Sequence, residues 1–128
     1  MDRPTGNRTG TGFFVFDSIT LSALTSALDG LAERQRAIAN NIANVNTPNY
    51  RAKRVAFEDA LARSVRAGDG NVAPTTQRSL EPTRLDGNNV NLDTETLSNI
   101  DTVLRYQFAA RAVEGSFTSV RTAMRSNG

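Results

Sequence analysis

The stretch Ala39-Asn40-Asn41-Ile42-Ala43-Asn44-Val45-Asn46-Thr47-Pro48-Asn49-Tyr50 decides how this chain folds, because it closes a heptad-patterned helix with asparagines, a proline and an aromatic. Amide side chains there satisfy helix-end carbonyls and a tight exit turn. Ile42 and Val45 continue the apolar seam of the residues before them. Pro48 forbids helical continuation and pushes Thr47 toward extended geometry. Asn49 stands where a left-handed residue serves a turn. None of these groups is a nucleophile or an acid-base pair, so the stretch reads as a shaped joint, and the chain as built for assembly rather than catalysis.

Working upstream, Leu21, Leu24, Leu28, Leu31, Gln35, Ile38, Ile42 and Val45 recur at alternating steps of three and four, a heptad seam with one polar interruption. Asp17 is the expected N-cap, with Phe16 and Leu21 as a hydrophobic staple. The spacing predicts a helix from about Ser18 to about Asn44, roughly 40 Å long at 1.5 Å per residue. Residues 1–16 are rich in Gly, Thr and Arg up to Phe13-Phe14-Val15-Phe16, and are expected as a disordered or extended tail. The four apolar residues read either as a sticky lead-in to the helix or as the edge of a natural start at Val15.

Downstream, Val55 to Ala62 is expected as a short amphipathic helix. Residues 67–91 carry Gly68, Gly70, Pro74, Pro82 and Gly87 with few apolar anchors, the pattern of a flexible insertion holding one short β-hairpin. Asp93 is the expected cap of a last helix, about Thr94 to about Met124, with Leu92 stapled onto Leu97. Its seam is Val103, Tyr106, Ala110, Val113, Phe117, Val120 and Met124, widened by Leu97, Ile100, Leu104 and Phe108. The fold class is therefore mainly α, two long terminal helices pairing as a coiled coil around a short helix and a flexible middle. Its organisation is a tail over 1–16, a heptad helix over 17–46, a turn and middle region over 47–91 and a second heptad helix over 92–126. Gly30 and Gly115 fall off these seams, and a mid-helix glycine costs about 1 kcal/mol relative to alanine. A second helix approaching closely at both is the hypothesis they invite.

Composition narrows the function. The chain has 128 residues, a net charge of +2, and neither cysteine nor histidine. Disulfides, thiolate metal sites and Ser-His or Cys-His nucleophiles are excluded. No cofactor or metal site is expected. Of the 15 basic residues only Lys53 is a lysine, a bias that suits interfaces but that genome composition also produces. No apolar run approaches the ~20 residues of a membrane span, and Met1 to Gly12 lacks the apolar centre of a cleavable signal. Carboxylates are left as the sole acid-base candidates, Glu58-Asp59, Asp93-Glu95 and Asp101, yet adjacent residues on a helix face apart, Asp93 is better used as a cap, and no phosphate loop, nucleophile elbow or metal-ligand spacing accompanies them. Arg51, Lys53 and Arg54 with Tyr50 and Phe57 form the best case for a small nucleic-acid-binding protein, weakened by Glu58 and Asp59 beside them and by the lack of any recognition motif.

Asn41-Ile42-Ala43-Asn44-Val45-Asn46-Thr47-Pro48-Asn49-Tyr50 resembles the amino-terminal signature of the bacterial flagellar basal-body rod protein family, departing from it at Asn49, where glycine is usual. Gly87-Asn88-Asn89-Val90-Asn91-Leu92-Asp93 and Leu104-Arg105-Tyr106-Gln107 resemble the small proximal-rod subunits within it. The resemblance covers about residues 16 to 126 and leaves a sister rod subunit as an alternative. It implies a non-enzymatic axial protein, exported by the flagellar type III apparatus without a cleavable signal peptide and polymerised in the periplasmic rod. The implied partners are copies of itself, other rod proteins, membrane-ring/rod junction proteins and the export apparatus, with no nucleic acid or small-molecule substrate. The assembly residues expected on this basis are Leu24, Leu28, Leu31, Ile38, Ile42, Val103, Tyr106, Val113, Phe117 and Val120.

Overall fold

The computed structural model describes the backbone of residues 5–126 and the side chains of residues 18–125. Chain order is α1 (Thr5–Ala43), β1 (Lys53–Ala56), α2 (Glu58–Arg66), β2 (Thr75–Arg78) and α3 (Leu92–Ser126). Helix α1 stops one residue short of the expected end, where Pro48 and the asparagines take over. It begins well before the expected start. No proline lies between Pro4 and Pro48, so a helix nucleated on the leucine seam propagates backward at one hydrogen bond per residue despite Gly6, Gly10 and Gly12. Asp17 consequently lies inside the helix and is not its cap. Of the expected tail, residues 1–4 lie outside the described residues, and so does the packing of the Phe13 to Phe16 side chains.

The two long helices pair antiparallel. Asn41 near the end of α1 meets Glu95 in the first turn of α3, while Leu31 and Ala109 share one apolar cluster farther along. That cluster, Leu31, Val55, Phe57 and Ala109, lies where α1, the β1–α2 junction and α3 converge, with Ala27, Leu28, Ala37, Leu61 and Val72 around it. Gly30 explains why the junction comes so close. A Cβ built there would stand 2.6 Å from Cγ of Phe57, so the ring lies flat on the helix backbone, with the Arg34 guanidinium 4.9 Å from its centroid. The close approach predicted at Gly30 is thus made by an aromatic side chain of the same copy, not by a second helix.

Residues Val55 and Ala56, expected in a helix, belong to a strand instead. β1 pairs antiparallel with β2, Lys53 opposite Arg78 and Ala56 opposite Thr75, so the hairpin partner of β2 lies outside the 67–91 segment. Side chains of α1 close the other edge of β1. Asn41 accepts from the Lys53 N–H at 3.0 Å through Oδ1 and donates to the Lys53 carbonyl at 2.9 Å through Nδ2. Arg34 donates to the Val55 carbonyl. An edge strand that would otherwise invite a foreign strand is finished by polar side chains from a helix.

At the start of α3, Asn91 rather than Asp93 is the cap. Its Oδ1 accepts from the N–H groups of Asp93 and Thr94 at 3.0 and 3.3 Å. Leu92 and Leu97 are both exposed, so no staple forms between them. The asparagine two residues earlier wins because it places the two acidic residues of the first turn inside the helix, toward the positive end of its dipole.

Candidate assembly site

The signature stretch is one half of a clamp. Asn44 donates through Nδ2 to the Asn40 carbonyl and accepts from the Thr47 hydroxyl, the helix-ending role expected of it. Asn49 adopts φ 64, also as expected. The other half is Arg84 to Val90, part of which the sequence marks only as a family resemblance, with no structural role. Fully buried Asn88 donates from Nδ2 to the carbonyls of Asn44 and Thr47, both at 2.8 Å. Asn89 accepts from the Ala52 N–H at 2.6 Å and donates to the carbonyls of Ser79 and Glu81. Arg84 spans the joint, donating to the carbonyls of Val45 and Val90. Gly87 has φ +80 and packs against Asn49, leaving no room for a Cβ. Buried polar backbone needs such partners. The signal available in the sequence was two adjacent asparagines between a glycine and a valine.

Asn41 is the member of the signature that reaches farthest. Almost wholly buried, it bonds Lys53 on both sides of its peptide, accepts from the Tyr50 hydroxyl at 3.3 Å and donates to Glu95 Oε1 at 2.9 Å. Glu95 therefore joins α1 to α3 beside β1 and lines a cleft of about 400 Å³. Burial pushes its pKa above the ordinary 4.5, with Glu81 adding to the rise and the amide of Asn41 and the Arg54 cation opposing it. Glu58 behaves oppositely: the Arg34 guanidinium, 2.7 Å away, holds its pKa below the ordinary value. The linkage signs follow. Glu95 binds its proton more tightly folded than unfolded, so its stabilising share is complete below the ordinary carboxylate range and is lost as pH rises through its raised pKa. Glu58 contributes above the ordinary range and loses its share on acidification. Urea midpoints of Glu95→Gln relative to the unaltered chain should therefore improve steadily from about pH 4 to pH 7. A difference that stays flat across that interval would contradict the assignment.

Glu58 and Glu95 are thus held by partners within the fold, and Asp101 pairs with Arg105 at 2.8 Å. Among the described residues no group of three acidic side chains could hold a metal ion. Lys53 and Arg54 lie on β1 and share the cleft with Glu58, Glu81 and Glu95, so the basic cluster meets acid within its own fold.

The expected seam residues divide. In α1, Leu31 and Ile38 are buried, Leu24 and Leu28 half-buried, and Ile42 exposed. In α3 the face toward α1 is one residue off the expected register. Glu95, Thr102 and Ala109 are buried at seven-residue steps, and Ser98, Val113, Ser116, Val120 and Ala123 are half-buried. Val103 is half-buried, but Tyr106 and Phe117 are exposed. The large apolar residues point the other way: Leu97, Ile100, Leu104 and Phe108 are 54–77% exposed. Period alone finds a stripe but cannot say which stripe faces inward, and here small and polar side chains allow α1 and α3 to approach while the bulky ones stay outside. Gly115 continues that outer stripe, with open space around it.

Comparison with known proteins gives a consistent picture. The family profile described as flagella basal body rod protein matches residues 21–51. The flagellar basal body rod protein FlgB of Bacillus subtilis (strain 168) is 30% identical over 121 residues, 82% of this chain and 92% of that protein. FlgB of Escherichia coli (strain K12) is 30% identical over 122 residues, covering 78% of this chain and 88% of its own. The flagellar basal-body rod protein FlgG of Caulobacter vibrioides is 41% identical over 64 residues, 43% of this chain but only 24% of its own. Likeness to FlgB runs nearly end to end, whereas likeness to FlgG is confined to a fraction of that protein.

Proposed function

The chain belongs to the flagellar basal body rod protein family, as a FlgB-like structural subunit and not an enzyme, and from that premise we propose that its copies join one another through the outer face of α3. The observation that carries the proposal is the stripe Leu97, Ile100, Leu104 and Phe108, left bare by a fold that buries small and polar residues beneath it. A row of bulky apolar side chains at steps of three and four is what a neighbouring helix covers. The rod of the basal body is its place of action, alongside other rod subunits. On our reading the ring junction and the export apparatus are further partners, and the chain reaches the periplasm as an unfolded substrate without a cleavable signal. A cysteine-free chain whose apolar face gains cover only on assembly suits that route. Among the described residues no helix is long and apolar enough to cross a membrane.

Sedimentation of the purified protein at rising concentration tests the reading. Association should appear with concentration, and Leu104→Glu should abolish it while leaving the far-UV circular dichroism and the urea midpoint of the monomer unchanged, because residue 104 touches solvent. Unaltered association of that variant, or a chain that stays monomeric throughout, would count against the proposal.

A further inference from the structure

The outer face of α1 complements that of α3. Thr25, Asp29, Ala32, Arg36, Ala39 and Ala43 follow one another at steps of four and three on the side of α1 turned away from the core. They are mostly small, whereas Leu97, Ile100, Leu104 and Phe108 are large. Resting on the assembly reading above, we infer that the outer stripe of α3 packs antiparallel against this face of α1 in a second copy, with Leu97 opposite Ala43, Leu104 opposite Arg36, Phe108 opposite Ala32, Arg111 opposite Asp29 and Gly115 opposite Thr25.

Three features select this register. The bulkiest side chain, Phe108, meets an alanine. Asp29 and Arg111, both exposed and with no ion pair among the described residues, meet each other. Gly115, whose missing side chain serves no contact within the copy, falls where the two backbones come close, and a glycine that costs helix stability is retained for approach. Sliding one heptad in either direction sets Arg36 against Arg111 or buries Asp29 against Leu104. The Arg36 head is already paired with Glu33, which leaves its apolar stem to cover Leu104.

The geometry has a consequence for growth. Antiparallel pairing of α1 with α3 inside one copy and again between copies makes every copy point the same way. The contact is heterologous, leaving α3 free at one end of the row and α1 free at the other, so it extends instead of closing as a dimer. A two-fold contact of α3 with α3 would consume both stripes at once.

The absence of native cysteine makes a disulfide test clean. Thr25→Cys and Gly115→Cys, singly and together, leave the apolar stripe and the core untouched. A bridge formed within one copy would run as a monomer on a non-reducing gel, so only a contact between copies yields a ladder. After mild oxidation at a concentration where sedimentation shows association, the double variant should give a ladder of covalent multimers on a non-reducing gel and neither single variant should. Reversing one charge, Asp29→Arg or Arg111→Asp, should raise the concentration needed for association roughly fivefold, and the double swap should restore it. Association without a ladder, or dimers from Gly115→Cys alone as abundant as in the double variant, would overturn this pairing while leaving assembly through α3 standing. No association at any concentration would sink both.

Discussion

Gly30→Leu is expected to destabilise the chain by about 3 kcal/mol or more, a large share of the roughly 5–15 kcal/mol that holds a domain of this size together. The site is buried, and a Cβ there would overlap the ring atoms of Phe57. The ring cannot retreat, since Phe57 is itself buried and Arg34 lies over it while holding Glu58 and the Val55 carbonyl. Even the gain of about 1 kcal/mol that any residue but proline brings to a mid-helix glycine falls well short of offsetting the overlap. The urea midpoint of the monomer should drop sharply, and adding Phe57→Ala should recover part of the loss by emptying the space the leucine needs. Gly115→Leu should instead raise the same midpoint modestly, by up to about 1 kcal/mol of helix propensity, because nothing lies within 4 Å of that position to offset it. A Gly30→Leu monomer as stable as its parent would remove the close packing of Phe57 from the account.

Both glycines looked alike in the sequence, and the structure separates them by what surrounds each. The same limit governs α3. Its heptad period was legible, as were the stop at Pro48 and the left-handed Asn49, because each rests on local geometry; that the end helices pair was legible too, but their antiparallel sense was not, since the spacing allows either direction. Which stripe faced inward was not, since periodicity carries no information about the partner. The spacing marks Val103 to Met124 as the seam, yet the buried line is Glu95, Thr102 and Ala109. The stretch holding Asn88 and Asn89 is legible as a family resemblance, but its clamping role is not, for a related reason. Its hydrogen bonds reach about 40 residues back along the chain to Asn44 and Thr47, and no window of sequence displays a contact of that span. The capping asparagine was missed by a narrower margin, because Asp93 is as good a cap by residue type as Asn91.

Inverted amphipathicity in α3 connects fold to function. A helix that faced its bulky residues inward would give a better-buried monomer with nothing left to join. Here the apolar cluster inside one copy is small, confined to the crossing of α1, the β1–α2 junction and α3, and the polar junction at Asn41 and Glu95 supplies definition that so few apolar residues do not. What the monomer forgoes in burial is available to a neighbour.

Asn41→Asp puts that polar junction to its hardest test, with an expected cost on the order of 4 kcal/mol at pH 7. The substitution keeps the shape and the acceptor that receives the Lys53 N–H and the Tyr50 hydroxyl. It replaces the donor, turning an N–H···O contact of 2.9 Å with Glu95 into two facing carboxylates and leaving the Lys53 carbonyl unpaired. Glu95 already holds its proton more tightly than an ordinary carboxylate because it is desolvated. A second negative charge beside it raises the affinity of the pair for one shared proton further. The folded variant then binds more protons than its unfolded chain over the range above ordinary carboxylate values, so its deficit relative to the parent must shrink as pH falls from 7 toward 5. Asn41→Leu loses donor and acceptor together and removes the amide that opposes the rise of the Glu95 pKa, but it adds no second carboxylate, so its deficit should shrink on acidification by clearly less than that of Asn41→Asp. Urea midpoints of the three chains across that interval distinguish the outcomes: an Asn41→Asp deficit that does not respond to pH would mean that Asn41 and Glu95 are not in contact, and that the signature asparagine acts only on the turn that follows it.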